Sequence, residues 1–186
     1  MLSNLELVED FASALVKFDA GGAVFKDYRP GVGPHSEDAM VKAAMSILRD
    51  SKPESWGRAR TKRTPDLLIE GDWQIEVKLL RPYGDNNRIA ENWSQNLLHP
   101  YAGNESCLGD CLKLLRSERQ ERRGILVVGY EHNPCKTPLE PCLRGFEILA
   151  KSILGVELSK REEVVCTGLI HPVHQVARVS FWEVVK

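Results

Sequence analysis

The stretch Gly124-Ile-Leu-Val-Val-Gly-Tyr130 has neither a charged side chain nor an apolar–polar alternation. A run of that length reads as a strand, and a strand without a polar face has to be covered on both sides. A chain built around it needs a sheet with helices above and below. The helices are legible on either side of the run. Ser3 and Glu6 fit a capping box ahead of the stripe Leu5, Val8, Phe11, Ala12 and Leu15, which predicts a helix to about Phe18. Ser36 is placed to cap a second helix to about Arg49, with Met40, Ala44, Ile47 and Leu48 inward. Residues 88–98 and 105–120 also read as helical. Pro141 opens another helix, with Leu143, Phe146, Ala150 and Ile153 inside. Val164–Ile170 and Val176–Val185 read as closing strands around the turn-rich His171-Pro-Val-His174, whose histidines are expected at the surface. This order predicts an α/β chain with a central mixed β-sheet flanked by helices.

With 186 residues, 42% of them hydrophobic, the chain suits one domain over 1–186, with the helix and loop of 1–35 appended to a core of 36–186. Twenty-five basic residues almost cancel 26 acidic ones, which excludes a polybasic coat but allows a local basic face. No apolar run reaches the roughly 18 residues that span a bilayer, so no membrane partner is expected. The first residues carry neither a basic head nor an apolar stretch, and the five scattered cysteines form an odd set. Both point to a cytoplasmic, reducing setting.

Between Thr64 and Lys78 the pattern changes to period two. Leu67 and Ile69, then Ile75, Val77 and Leu79, alternate with polar positions and predict a hairpin around Gly71-Asp72. Glu76 and Lys78 share one face of the second strand, while Ile75, Val77 and Leu79 occupy the other. The turn decides where Asp66 points. A two-residue loop sets Asp66 opposite Val77, on the apolar side. A three-residue loop, Gly71-Asp72-Trp73, sets it opposite Lys78 and pools all five apolar residues on one face. Register follows the apolar pattern, so the odd loop or an equivalent bulge is expected. Two carboxylates and an ammonium on one face suit a hard cation such as Mg²⁺, which takes carboxylate oxygens and keeps waters. The Val77 carbonyl is a further candidate ligand.

Pro65-Asp66, nine intervening residues, then Glu76-Val77-Lys78 resembles the PD-(D/E)xK nuclease superfamily, with its restriction-endonuclease-like core. The resemblance implies metal binding by Asp66 and Glu76, with Lys78 acting on the attacking water. It also implies a glutamate on the preceding helix, for which Glu37 is the candidate, and a glutamine on the following helix, for which Gln95 is. The expected activity is that of a Mg²⁺-dependent endo- or exodeoxyribonuclease, with Mn²⁺ as a substitute, acting on DNA. A domain of this size would reach both strands as a homodimer. The rival reading is a non-catalytic nucleic-acid-binding or assembly protein on the same scaffold.

Arg58, Arg60, Lys62 and Arg63 lie just upstream of the motif, placed to hold backbone phosphates, and Trp56 among them is a candidate for stacking on a base. A solvated loop is the alternative. His132 with Cys135 and Cys142, or Cys107 with Cys111, would suit a zinc-dependent module. Without paired Cys-x-x-Cys spacing, buried thiols are the favoured reading. Gly31-Val-Gly33 lacks the preceding strand of a phosphate-binding loop.

Overall fold

A computed structural model of the protein describes residues 1–99 and 106–185. Helix α1 (Asn4–Ala20) starts at Ser3 with the reciprocal capping box, and α2 (Glu37–Ser51) starts at Ser36, whose hydroxyl accepts from the Ala39 amide. A short helix α3 (Pro53–Trp56) and strand β1 (Ala59–Thr61) follow. Both fall in a polar stretch with no legible period. Strands β2 (Leu67–Ile69) and β3 (Trp73–Leu80) form the hairpin. After α4 (Gln95–Leu98) and α5 (Cys107–Leu115), the apolar run becomes β4 (Arg122–Glu131). Helix α6 (Glu140–Ser152) and strands β5 (Glu162–Thr167) and β6 (Val176–Glu183) complete the chain.

The fold is α/β. Among the described residues, six strands form one sheet in the order β1-β2-β3-β4-β6-β5, in which only β3 and β4 run parallel. Side chains of β4 alternate between two cores. Leu126, Val128 and Tyr130 pack with Leu7, Phe11 and Leu15 of α1 and Met40, Ala44 and Met45 of α2. Ile125 and Val127 pack with Leu108 and Leu114 of α5 and with Leu143 and Phe146 of α6. The run is covered on both faces, as its lack of polar residues requires. Helix α1 contributes Leu7, Val8, Phe11 and Leu15 to the first core at 0% exposure, so the N-terminal helix is an integral layer. None of the described helices is long and apolar enough to cross a membrane.

The hairpin has the expected odd loop but with different residues. Ile69 pairs with Trp73, so the three loop residues are Glu70, Gly71 and Asp72, with Gly71 at φ 76°. The parity pools Leu67, Ile69, Ile75, Val77 and Leu79 in one core, as the alternation demands. Extending the register one step puts position 66 opposite 76 rather than 78.

Three elements depart from expectation. Of residues 88–98 only Gln95–Leu98 is helical, because Tyr83 bridges Ile89 and both Asn87 and Asn92 take positive φ, which an α-helix excludes. The helix expected over 105–120 spans Cys107–Leu115, and residue 105 lies outside the described residues. Ile153 follows the last turn of α6 and is 57% exposed.

Candidate active site

Strand β2 ends its pairing at Leu67, opposite Ile75, while β3 runs on to Leu80. The next two amides on that side of β3 therefore lack a strand partner. Carboxylates take them: Asp66 Oδ2 accepts from the Val77 N–H at 2.9 Å, and Glu37 Oε2 accepts from the Leu79 N–H at 3.0 Å. Buried backbone donors are almost always satisfied, so the early end of β2 draws two acids to the edge of β3. Asp66 immediately precedes β2 and Glu37 opens α2, which places both at the same divergence of the sheet.

On the face toward α5, Glu76 is 1% exposed and Lys78 is half-buried beside it. Opposite them α5 presents Asp110 and Lys113. Lys113 Nζ lies 2.8 Å from Glu76 Oε1 and 3.6 Å from Asp110 Oδ1. Lys78 Nζ lies 3.0 Å from Asp110 Oδ2 and 4.0 Å from Glu37 Oε1. Charge alternates along this chain of groups, as burial of ions requires. Four carboxylates (Glu37, Asp66, Glu76, Asp110) meet two ammonium groups, a formal −2 if all are ionised. Burial pushes the Glu76 carboxyl up to about 8, Lys113 pulling it down and the Asp66 and Asp110 charges adding to the rise. Burial likewise raises Glu37 and Asp110. For Lys78 burial acts to lower the pKa, but Asp110 and Glu37 outweigh it and hold the ammonium protonated.

The residues fit a divalent ion of the Mg²⁺ type. Glu76 Oε1 and Asp110 Oδ2 are buried and, despite their ammonium contacts, make no hydrogen bond of proper angle, so both keep lone pairs for a ligand. The fully ionised set would match a dication, whose binding would draw the proton off Glu76. These acids do not close into a tight three-oxygen cage, for among the described residues only Asp85, His171 and His174 bring three ligand atoms within 4.8 Å of one another. Mg²⁺ binds through one or two carboxylates and keeps waters, so a three-oxygen cage is not required of it. At Val77, the contact with Asp66 runs through the amide.

The structure thus brings Glu37, Asp66, Glu76 and Lys78 together and adds Asp110 and Lys113, which sequence reasoning missed. A signal for Asp110 was present. It sits at i+3 from Cys107 and i−4 from Leu114, on the buried stripe of its helix, where an acid is out of place without a partner.

Gln95 starts α4, exposed, and contacts none of these groups in the hydrogen-bond network. It lines an open cleft of ≈ 640 Å³ that also reaches Glu37, Leu79, Arg81, Asp85 and Trp93. Arg58, Lys62 and Arg63 are exposed along β1, and Arg60 pairs with Glu70 at 3.3 Å. Trp56 is not available for stacking. It is 0% exposed, and its Nε1–H donates to Asp10 Oδ2 at 2.8 Å, while Asp10 also pairs with Lys52. Its ring fills the core between α1 and α2, which the polar letters around it conceal.

The histidines at 171 and 174 are buried, at 0% and 2% exposure, rather than on the surface. The loop carrying Gly31 and Gly33 covers them, and a Cβ at Gly33 would meet the His174 Cβ at 2.4 Å and its ring at 2.5–2.6 Å. Close approach is what these glycines serve. His132 binds Asn87 Oδ1 through Nε2 at 2.8 Å, and Cys107 and Cys111 are buried free thiols whose pKa burial raises. A larger groove of ≈ 750 Å³ beside α6 is lined by charges that neutralise one another, with Arg144 and Arg161 both 2.7 Å from Glu140. No protein-family model matches the chain, and no curated protein or solved structure matches it either.

Proposed function

We propose that this chain is a divalent-metal-dependent nuclease of the PD-(D/E)xK type that hydrolyses phosphodiester bonds in DNA. The observation that carries the reading is the convergence of Glu37 from α2, Asp66 from just before β2, and Glu76 and Lys78 from β3, at the point where β2 leaves β3. Asp66 and Glu76 would hold Mg²⁺, or Mn²⁺ in its place, with Asp110 close enough to contribute. When bound, such an ion acidifies water and offsets charge on the phosphorus. Lys78, held protonated between Asp110 and Glu37, orients the attacking water and the phosphate oxygens rather than removing a proton. The water oxygen forms a new bond to phosphorus and releases a proton to solvent, the bond to the leaving oxygen breaks, and that oxygen takes up a proton from solvent. Arg58, Lys62 and Arg63 on the adjacent sheet edge would neutralise backbone phosphates, and two copies would address both strands of a duplex.

The test is cleavage of labelled single- and double-stranded DNA with Mg²⁺ or Mn²⁺ against EDTA. Asp66→Asn, Glu76→Gln and Lys78→Met are each expected to lower the rate at least about 100-fold with an unchanged circular-dichroism spectrum. Absence of metal-dependent cleavage of any DNA or RNA overturns the reading. The Lys113–Glu76 ion pair favours a second one, in which a lysine permanently fills the cation position of a non-catalytic nucleic-acid-binding protein. Salt-dependent DNA binding indifferent to metal is its signature.

A further inference from the structure

Away from these carboxylates, two loops meet beside the same cleft, which Asp85 lines. Asp85 lies in the turn after β3 that the Tyr83–Ile89 bridge closes, and His171 and His174 lie in the loop between β5 and β6. One ligand atom from each falls within 4.8 Å of the other two, and His174 Nδ1 is 3.7 Å from Asp85 Oδ1. Two ligands each about 2.0–2.2 Å from one ion at tetrahedral angles stand roughly 3.4 Å apart, close to that spacing. His171 Nε2, His174 Nδ1 and Asp85 Oδ1 are all buried atoms with no hydrogen-bond partner. Buried polar atoms without partners are rare, and here three belong to one cluster.

We propose that Asp85, His171 and His174 form a binding site for a first-row transition-metal ion of the Zn²⁺ type. Imidazole nitrogen with one carboxylate selects such an ion over Mg²⁺. His174 is already prepared for it. Its Nε2 faces the Tyr83 carbonyl at 3.0 Å, and since a carbonyl only accepts, the proton sits on Nε2 and the Nδ1 lone pair points into the cluster. His171 is not. Its Nδ1 accepts from the Val173 and His174 amides, both at 3.3 Å, so the neutral ring carries its proton on Nε2. Coordination through Nε2 moves that proton to Nδ1 and gives up both long contacts.

The frame around the site is fixed. Asp19 ties the β5–β6 loop to the α1–α2 loop that covers the histidines, with Oδ1 accepting from the Val32 amide and Oδ2 from the Ile170 amide, each at 2.8 Å. Arg81 is engaged by the Gly33 carbonyl at 3.0 Å. Asp85 keeps 21% side-chain exposure and lines the cleft, so an ion on these three ligands would present an open coordination position to it.

This proposal stands independently of the nuclease reading. Metal-stripped full-length protein is titrated with Co²⁺ in excess Mg²⁺. One equivalent is expected to develop visible d–d absorption that Zn²⁺ abolishes, with the Val173 and His174 amide NMR signals shifting. Glu76→Gln is expected to keep the spectrum, and His171→Ala and His174→Ala to lose it. Asp85→Asn, in a partly exposed turn where folding is least at risk, is expected to weaken binding at least about tenfold. Absence of Co²⁺ absorption in the native protein, retention of full affinity in Asp85→Asn, or loss of the spectrum in Glu76→Gln alone overturns the proposal.

Discussion

Glu76 has a carboxyl buried against α5, with Lys113 as its nearest counter-charge. Its pKa rises on folding from about 4.5 to about 8. Between those values the folded protein binds a proton that the unfolded chain does not, so this residue's contribution to stability falls as pH rises through the window. In EDTA, the urea midpoint of the native protein is expected to decline between pH 6.5 and 8.5, and Glu76→Gln to flatten that decline. Asp66, Glu76 and Lys78 were legible as a set because a strand's period of two fixes which side chains share a face. Asp110 showed only as an acid on a buried helical stripe, and its place with Lys113 beside Glu76 was not legible, because nothing local says which face of β3 a helix some thirty residues later will cover.

At the scale of elements, the early end of β2 is what assembles the edge of the site. Glu37 serves as an acceptor for the Leu79 amide as much as a charge. Glu37→Ala is expected to cost about 1–3 kcal/mol in urea unfolding, since the amide is left without a partner, while Glu37→Gln, which keeps a carbonyl oxygen, is expected to recover most of it. The hairpin's parity was readable from five apolar residues, whereas the identity of its loop was not. Glu70-Gly71-Asp72 and Gly71-Asp72-Trp73 give the same facing of side chains, and the choice rests on Trp73, whose ring is buried edge-on against Phe181. The segment 88–98 misled for the opposite reason. Its spacing is helical, but the two asparagines with positive φ and the Tyr83–Ile89 bridge impose a turn that only tertiary contacts specify.

For the whole molecule, the three-layer arrangement followed from one uncharged run that needed cover on both faces. What the run could not show is how loops fold over the sheet's ends, where surface-like letters become interior. Burial lowers the pKa of His35, His132 and His171, and brings His174 down to about 4. Below their unfolded value near 6.5 the unfolded chain binds more protons, so stability is lost as pH falls through that range. The metal-free protein is therefore expected to be most stable near pH 6.5, and to lose stability toward pH 5 as measured by thermal denaturation. The acid limb should persist in Glu76→Gln, since it belongs to imidazoles elsewhere. The divergence of β2 from β3 carries one more implication. Asp66 and Glu37 each spend an oxygen on a peptide group that a longer strand would have served, so any ion that drew either acid fully toward itself would strip a donor bare. Occupancy of the carboxylate centre and integrity of the sheet margin thus depend on the same two side chains, each holding an amide with one oxygen and keeping the other.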